Sequence, residues 1–160
     1  MNKAVFLDRD GVINHDPDEY TYKLEETHIL DGIIPFAKKL KEKGYLIIVI
    51  TNQGGIDKQV YGFDAVEAIH EFIHEEFSKE GIEITDYYYC PHHSNLQKCM
   101  CRKPDSLMIE RAMYKYNIDP KQSYFIGDKW RDVECGEKAG VKGIKIDVNI
   151  ITNELINQIA

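Results

Sequence analysis

Two aspartates separated by one residue lie near the start of the chain, where they could act on a ligand. Asp8 and Asp10 follow the short apolar run 4–7, and Gly11 comes next. Such a run is typical of a buried strand in a parallel sheet. Ligands of open α/β folds lie just beyond the carboxyl ends of these strands. An Asp-x-Asp-Gly tetrapeptide alone is more often a solvated turn. Because two carboxylates this close repel each other, we nevertheless expect a cation or a reaction to use them.

Polar side chains also follow two other apolar runs. The run 45–50 leads into Thr51 and Asn52, and the run 123–126 is followed by Gly127 and Asp128. The carboxyl ends of parallel strands meet at one edge of a sheet, so we expect these side chains to converge with the first aspartate pair. Carboxylate oxygens suit Mg²⁺, and a phosphate oxygen can complete its octahedral shell.

A basic pair precedes a predicted helix. Arg102 and Lys103 stand where cationic side chains and free backbone N–H groups can meet an anion. Each candidate has an ordinary alternative: Lys103 could be a solvated charge, and Asp132 could be an acid in the first turn of a helix. Their joint occurrence at strand ends, in chain order, favours a magnesium and phosphate site.

Three of the four cysteines lie close together between residues 90 and 101. The segment offers three thiolates and an imidazole, from Cys90, His92, Cys99 and Cys101. Four such ligands form a closed tetrahedral set, which predicts a structural zinc ion in the loop 90–103. A disulfide or unligated cysteines are the alternatives, and His93 could replace His92. We expect Cys135 to be an ordinary helix cysteine.

The composition limits the class of protein. The chain has 160 residues and a formal net charge of -7, which argues against a protein that coats nucleic acid or a membrane surface. No stretch approaches the ~20 apolar residues of a membrane span. Because the chain begins directly with a strand, we expect no signal peptide and a cytoplasmic location. We also expect one domain, residues 1–160, and a monomer.

Strands and helices are predicted to alternate along the chain. The strands are expected at 4–7, 45–50, 82–89, 123–126 and 143–147. The helices are expected from about residue 31 to Gly44, from Asp64 to Gly81, from Pro104 to Tyr116 and over 130–139. Asp64 and Glu67 have the spacing of a capping box, and Pro104 suits a first helical turn. The alternation predicts an α/β, Rossmann-like parallel sheet with helices on both faces.

Five segments together resemble the haloacid dehalogenase superfamily of phosphatases. They are 6–11, 51–53, 90–93, 99–104 and 127–129. More narrowly, the chain resembles the branch of heptose 1,7-bisphosphate phosphatases and histidinol-phosphate phosphatases, over nearly its whole length. The resemblance implies a haloacid dehalogenase-like fold without a large cap domain, a catalytic Mg²⁺ and a zinc-stabilised loop.

The resemblance also implies roles for individual residues. Asp8 would be the nucleophile, and Asp10 the general acid and base. Mg²⁺ would be held by the carboxylate of Asp8, the main-chain carbonyl of Asp10 and Asp128, while Thr51 and Lys103 would stabilise the phosphoryl group. The expected substrate-binding residues are Asp16, Tyr20, Thr51, Asn52, Gln53, Gly54, Arg102, Lys103 and Lys129. Asp132 would orient the site rather than bind the metal.

The leading hypothesis is a Mg²⁺-dependent phosphomonoesterase that removes the C7 phosphate of D-glycero-D-manno-heptose 1,7-bisphosphate through an aspartyl-phosphate. A histidinol-phosphate phosphatase is the alternative enzyme, because the zinc loop occurs in both groups. A hypothesis of a different class is an inactive zinc-loop binding module. That module would be expected to lack Asp8, Asp10, Lys103 or Asp128, and all four are present.

Overall fold

Five parallel strands form one sheet in the computed structural model, which describes residues 1–160. The strands are β1 (Ala4–Leu7), β2 (Leu46–Asn52), β3 (Asp86–Cys90), β4 (Tyr124–Gly127) and β5 (Lys142–Lys145). Their order in the sheet is β3-β2-β1-β4-β5. Central β1 pairs Phe6 with Ile48 of β2 and with Phe125 of β4. The predicted α/β parallel sheet is confirmed.

Helices cover both faces of this sheet. They are α1 (Ile33–Glu42), α2 (Phe63–Lys79), α3 (Leu107–Tyr116) and α4 (Trp130–Lys138). Three short 3-10 helices span Leu24–Glu26, Pro120–Gln122 and Asn153–Gln158. Because side chains alternate along a strand, Val5 and Leu7 pack in one apolar cluster with α1 and α2, whereas Ala4 and Phe6 pack with α3 and α4. Burial on both faces explains why β1 is a continuous apolar run.

The third strand is shorter than predicted. Its ladder begins at Asp86 rather than at Ile82. Ile82 and Ile84 are buried in the apolar cluster of α1 and α2, but they precede the pairing with β2. An apolar pattern indicates that residues are buried, but not that they pair with a neighbouring strand. The predicted third strand was therefore too long at its start. In contrast, β2 continues two residues beyond its predicted end and includes Thr51 and Asn52.

Two predicted helix starts are wrong. Helix α2 begins at Phe63, with Gly62 at its N-cap and no side-chain cap, so the capping box does not form. Helix α3 begins at Leu107, and Pro104 lies before it, after a cis peptide bond. A turn in which the N–H of Asp105 donates to the carbonyl of Arg102 occupies this stretch instead. Arg102 and Lys103 therefore do not stand at a helix N-terminus.

The connections at the carboxyl edge of the sheet are loops rather than a second domain. The two longest connections, 8–32 and 91–106, contain no sheet and no α-helix of their own. The expectation of a fold without a large cap domain is confirmed. No helix of this fold combines the length and the apolar character that crossing a bilayer requires.

A histidine is buried between α2 and the sheet. His70 is 4% exposed, and neither of its ring nitrogens has a hydrogen-bond partner. Its ring stacks on Tyr87 with the centroids 4.8 Å apart. Burial, together with the nearby positive charge of Arg9, lowers the pKa of His70 to about 3.

We predict that His70 makes the protein less stable as the pH falls below ~6.5, the pKa of an unperturbed histidine. Between that pH and the folded pKa of about 3, the unfolded chain binds a proton that the folded chain does not. The free energy of unfolding should therefore fall by ~1.4 kcal/mol per pH unit from this residue alone. His70→Phe should remove that part of the dependence in urea unfolding at pH 7, 6 and 5.

His74→Gln, one turn further along α2, is the matched control and should keep the wild-type pH dependence. If the free energy of unfolding falls equally with falling pH in the wild type and in His70→Phe, His70 is not the source of the pH dependence.

Candidate active site

A buried ammonium group lies below the carboxyl ends of the central strands. The Nζ of Lys103 is 2.9 Å from Oδ1 of Asp8 and 2.7 Å from Oδ1 of Asp132. It also donates a hydrogen bond of 3.0 Å to the carbonyl of Ile50. The side chain of Lys103 is 1% exposed. A charge this deeply buried is tolerated because two carboxylates lie beside it and it donates to a carbonyl.

Different elements of the fold bring these groups together. Asp8 follows β1, Asp132 lies in the first turn of α4, and Lys103 ends the loop 90–103. Asp132 also accepts a hydrogen bond of 3.2 Å from the backbone N–H of Lys129. Its close approach to the end of β4 requires a glycine there, because a Cβ at Gly127 would lie 2.2 Å from the Cβ of Asp132.

Three carboxylates form a cluster around this lysine. Oxygen atoms of Asp8, Asp128 and Asp132 lie within 4.8 Å of one another. Burial raises the pKa of Asp8 well above its usual range, Lys103 opposes this rise, and the other aspartates add to it. Burial by itself would lower the pKa of Lys103, but Asp132 and Asp8 raise it above its usual range.

The oxygen atoms of this cluster suit a hard cation. Both carboxylate oxygens of Asp128 are buried and have no hydrogen-bond partner. Asp8 lies beside them, and Lys103 alone does not balance three negative charges. Mg²⁺ prefers oxygen ligands of this kind, so the residues present fit the ion.

Asp10 is held by several donors at the edge of the same site. Its Oδ1 accepts hydrogen bonds from Nε and Nη2 of Arg9, at 3.1 and 2.9 Å, and from Nδ2 of Asn14 at 3.0 Å. Its Oδ2 accepts from Nε2 of Gln53 at 3.1 Å. Arg9 is fully buried and also donates to the carbonyl of Thr21. Arg9 and Asn14 were not among the expected site residues. Arg9 stands directly before Asp10 and Asn14 stands four residues after it, so their positions could have indicated these contacts.

A cavity of about 590 Å³ opens over Asp8 and Asp10. Six of the expected substrate-binding residues line it: Asp16, Tyr20, Thr51, Asn52, Gln53 and Lys129. The sequence analysis did not assign five other lining residues: Asp18, Glu19, Tyr22, Val60 and Arg131. The loop after β1 thus contributes three acidic side chains to the rim.

The other three expected substrate-binding residues do not line this cavity. Lys103 lies beneath Asp8, and it lines an adjacent groove together with Arg102 and Arg131. The Nη1 of Arg102 donates a hydrogen bond of 3.0 Å to the carbonyl of His92. Gly54 lies against that guanidinium, since a Cβ there would be 3.1 Å from Nη1.

Asn52 connects β2 to the residue that carries the buried ammonium. Its Nδ2 donates to the carbonyl of Lys103 at 3.2 Å, and its Oδ1 accepts from the N–H of Lys103 at 3.0 Å. The side-chain amide therefore fixes the main chain of Lys103 from both sides. Thr51 beside it is 1% exposed, and its Oγ1 accepts from Nε2 of Gln53 at 2.9 Å.

The cysteine-rich loop forms a compact ligand cluster. The Sγ of Cys90 is 3.0 Å from that of Cys101 and 3.7 Å from that of Cys99. The Nδ1 of His92 lies 3.4 Å from Cys90 Sγ and 3.3 Å from Cys101 Sγ. All four cysteines of the chain are free. Ligand sulfur atoms of a tetrahedral zinc site lie ~3.8 Å apart, so this donor set fits Zn²⁺.

The structure distinguishes the two neighbouring histidines of this loop. His92 belongs to the cluster, whereas the Nδ1 of His93 accepts a hydrogen bond from the N–H of Asn95. Cys135 is buried in α4, away from the cluster, and its Sγ donates to the carbonyl of Asp105 at 3.2 Å.

Comparison with known proteins identifies related chains. The family model of HAD-hydrolase-like proteins matches residues 100–158. The chain is 36% identical over 156 residues to D-glycero-beta-D-manno-heptose-1,7-bisphosphate 7-phosphatase of Haemophilus influenzae, covering 94% of this chain and 82% of the relative. It is 40% identical over 147 residues to D-glycero-alpha-D-manno-heptose-1,7-bisphosphate 7-phosphatase of Campylobacter jejuni, covering 92% and 83%.

A solved structure agrees with this comparison. The D,D-heptose 1,7-bisphosphate phosphatase of B. bronchiseptica, complexed with magnesium and phosphate, has a TM-score of 0.83 and 28% identity, covering 88% of this chain and 78% of that chain. The fold and the site thus define a phosphatase of the haloacid dehalogenase superfamily, a Mg²⁺-dependent phosphoric monoester hydrolase. Within that superfamily, the chain belongs to the family of heptose 1,7-bisphosphate phosphatases.

We predict that Asp132→Asn destabilises the protein strongly. The change removes one of the two carboxylates that pair with the buried ammonium of Lys103. Breaking a buried ion pair by removing one partner costs ~3–5 kcal/mol. Urea unfolding without added Mg²⁺ would measure the loss.

Glu134→Gln is the matched control, because Glu134 lies on the same helix and pairs with Lys138 at the surface, at 3.3 Å. Its stability should stay close to that of the wild type. Equal stabilities for the two variants would show that the buried pair does not hold the site together.

Proposed function

We propose that this enzyme removes the C7 phosphate of D-glycero-D-manno-heptose 1,7-bisphosphate through an aspartyl-phosphate on Asp8. One observation carries the proposal. The carboxylates of Asp8 and Asp10 face the same cavity, while the ammonium of Lys103 lies 2.9 Å from Asp8. The names of the curated relatives support the choice of substrate.

The hydrogen bonds of Asp8 favour one of its oxygens as the nucleophile. Its Oδ1 accepts from Lys103 Nζ at 2.9 Å and from the N–H of Arg9 at 2.8 Å. These donors leave Oδ2 as the atom that attacks phosphorus. As the new P–O bond forms, the bond to the sugar oxygen breaks, and Asp10 gives that oxygen a proton. A water molecule then attacks phosphorus, Asp10 takes up the water's proton, and Asp8 is released.

The charge that develops on the phosphoryl group has two kinds of partner in this proposal. The carboxylates of Asp8 and Asp128 and the main-chain carbonyl of Asp10 would hold Mg²⁺, which would supply charge neutralisation. Lys103 adds a fixed positive charge, and the hydroxyl of Thr51 donates to a phosphoryl oxygen. Positioning and charge stabilisation of this kind are the main demands of phosphoryl transfer.

The remaining cavity residues are proposed to bind the sugar. Asp16 and Tyr20 offer a carboxylate and a phenol to hydroxyl groups of the substrate. Lys129 on the rim of the cavity and Arg102 in the adjacent groove place positive charge near the site. This arrangement would hold an anionic sugar without a cap domain.

A histidinol-phosphate phosphatase is the second candidate, and one observation favours it. The cavity rim carries Asp16, Asp18 and Glu19. Three acidic side chains would attract the ammonium group of an amino alcohol phosphate more strongly than a second phosphate. The hypothesis of an inactive binding module has no such support, because Asp8, Lys103 and the other expected catalytic residues are present and converge.

Phosphate release tests the proposed substrate. Heptose 1,7-bisphosphate, histidinol phosphate and common hexose phosphates would be compared with Mg²⁺ and with chelator. The proposal expects Mg²⁺-dependent release with a strong preference for the heptose bisphosphate. A preference for histidinol phosphate would contradict it and support the second candidate.

We predict that Asp8→Asn abolishes turnover and keeps the fold, although it lowers stability as Asp132→Asn does, because it removes the other carboxylate beside Lys103. An amide cannot form the aspartyl-phosphate, whereas its shape still fits the site. Phosphate release should fall at least ~10⁴-fold, since the variant loses the covalent route and keeps only binding and positioning. Circular dichroism would check the fold, and Asp119→Asn, on the far side of the sheet, should keep wild-type activity. Appreciable turnover by Asp8→Asn would exclude Asp8 as the nucleophile.

We further propose that Cys90, His92, Cys99 and Cys101 bind one structural Zn²⁺. The cluster lies in the loop that ends at Arg102 and Lys103, so the ion would hold Lys103 beneath Asp8. Residues 1–160 would then form a single phosphatase domain with the zinc loop 90–103. A monomeric state and a cytoplasmic location stay predictions from the sequence.

We predict that the purified protein contains about one zinc ion per chain, as expected for a closed four-ligand site. Cys99→Ser should lose the zinc and lower the melting temperature, because zinc binding contributes to folding directly. Elemental analysis and thermal unfolding would measure both effects. Cys135→Ser, which changes the cysteine outside the cluster, should retain the zinc. A zinc-free, fully stable wild type would refute the site.

A further inference from the structure

Gln53 connects the proposed general acid to a buried tyrosine. It is 2% exposed. Its Nε2 donates to Oδ2 of Asp10 at 3.1 Å and to Oγ1 of Thr51 at 2.9 Å. Its Oε1 accepts a hydrogen bond of 2.6 Å from the hydroxyl of Tyr61. One side-chain amide therefore contacts two expected catalytic residues and a residue that the sequence analysis did not consider.

The tyrosine determines which way the amide points. Oδ2 of Asp10 accepts the hydrogen bond between these side chains, so it requires the nitrogen of Gln53. The hydroxyl of Thr51 can donate or accept, so it accommodates either orientation. Tyr61 supplies the donor that holds the oxygen of Gln53 on the opposite side. Burial raises the pKa of Tyr61 to about 12, which keeps this donor protonated at neutral pH.

The packing around Tyr61 fixes its hydroxyl. Its ring stacks on Tyr22 with the centroids 5.3 Å apart and meets the edge of Tyr20 at 5.8 Å. The other side is closed by Gly55, where a Cβ would lie 2.1 Å from the ring. This contact leaves no room for any side chain at position 55, so the ring packs directly against the main chain there.

The two oxygens of Asp10 differ in their partners. Oδ1 accepts three hydrogen bonds of 2.9 to 3.1 Å from Arg9 and Asn14. Oδ2 has the contact with Gln53 at 3.1 Å and a longer one of 3.3 Å with Arg9. A saturated oxygen is a poor site for a proton, so the proton of the general acid belongs on Oδ2.

We propose that Gln53 and Tyr61 are positioning residues that aim Oδ2 of Asp10 at the leaving oxygen. During the first step, the proton moves from Oδ2 to that oxygen, which keeps the electron pair of the broken P–O bond. During the second step, Oδ2 takes a proton from the attacking water. The proposal rests on the proposed function only in that Asp10 is the general acid and base, and it does not depend on the sugar.

The leaving group offers a test that separates positioning from general damage. A sugar alkoxide leaves only with a proton, whereas 2,4-dinitrophenolate leaves without one. A variant that misplaces the acid should therefore lose kcat/KM on an alkyl phosphate and keep it on 2,4-dinitrophenyl phosphate, because kcat/KM reports the first chemical step and not the later attack of water, in which Oδ2 also acts. A variant that merely loosens the fold or the metal site should lose both activities alike.

We predict that Tyr61→Phe, which removes one hydroxyl and keeps the stacked ring, lowers kcat/KM for an alkyl phosphate such as the heptose bisphosphate or glycerol 3-phosphate. The expected loss is ~10–100-fold, a part of the 10²–10⁴-fold that a general acid contributes. The loss for 2,4-dinitrophenyl phosphate should stay within ~2-fold. Gln53→Met should show the same selectivity, and adding Tyr61→Phe to it should have no further effect, as residues that act through one contact are not additive.

Tyr116→Phe is the matched control. The hydroxyl of Tyr116 also donates a 2.6 Å hydrogen bond, to Asp86, at the opposite end of the sheet, and its loss should change neither activity. Equal losses on both esters, or no loss, would overturn the proposal. The wild type could fail to hydrolyse the heptose bisphosphate while the variants still lose activity on glycerol 3-phosphate and not on 2,4-dinitrophenyl phosphate. That result would overturn only the proposed substrate and would support the positioning role. An enzyme without Mg²⁺-dependent turnover of any ester would overturn both.

Discussion

The rest of the site depends on the buried ion pairs of Lys103. Its ammonium contacts Asp8 after β1 and Asp132 in the first turn of α4, and so joins a strand end and a helix start to one loop. Without this charge, the three buried carboxylates would repel one another, and desolvation would favour their neutral forms. The lysine therefore favours the ionised form of Asp8, the proposed nucleophile, and opposes the rise in its pKa that burial causes.

An irregular segment of the chain, and not a helix or a strand, positions Lys103. Lys103 lies before α3, in a stretch that lacks helical hydrogen bonds, so other contacts must fix its main chain. The amide of Asn52 binds its N–H and its carbonyl from the end of β2. The cluster of Cys90, His92 and the two other cysteines lies on the far side of the same loop. The sheet and the loop 90–103 thus meet at one ammonium group.

The sequence predicted the fold and the convergence of the site for a physical reason. In a parallel sheet, all carboxyl ends lie at one edge, so Asp8 and Asp128 had to approach each other. Local features were harder to predict: Ile82 is apolar because it is buried, although it lies outside the ladder. Tyr61 was missed because its contacts follow from a loop conformation, which leaves no periodic pattern in a sequence, whereas Arg9 could have been found from its position beside Asp10.

The central claim is that Asp8 carries the phosphoryl group during turnover. Borohydride reduces an acyl phosphate to an alcohol, so quenching the enzyme with it during turnover would convert the phosphorylated aspartate to homoserine. Peptide mass spectrometry would then locate the changed residue. The account predicts homoserine at position 8, and only when both substrate and Mg²⁺ are present. An unmodified Asp8 during steady turnover, or modification at another aspartate, would contradict it.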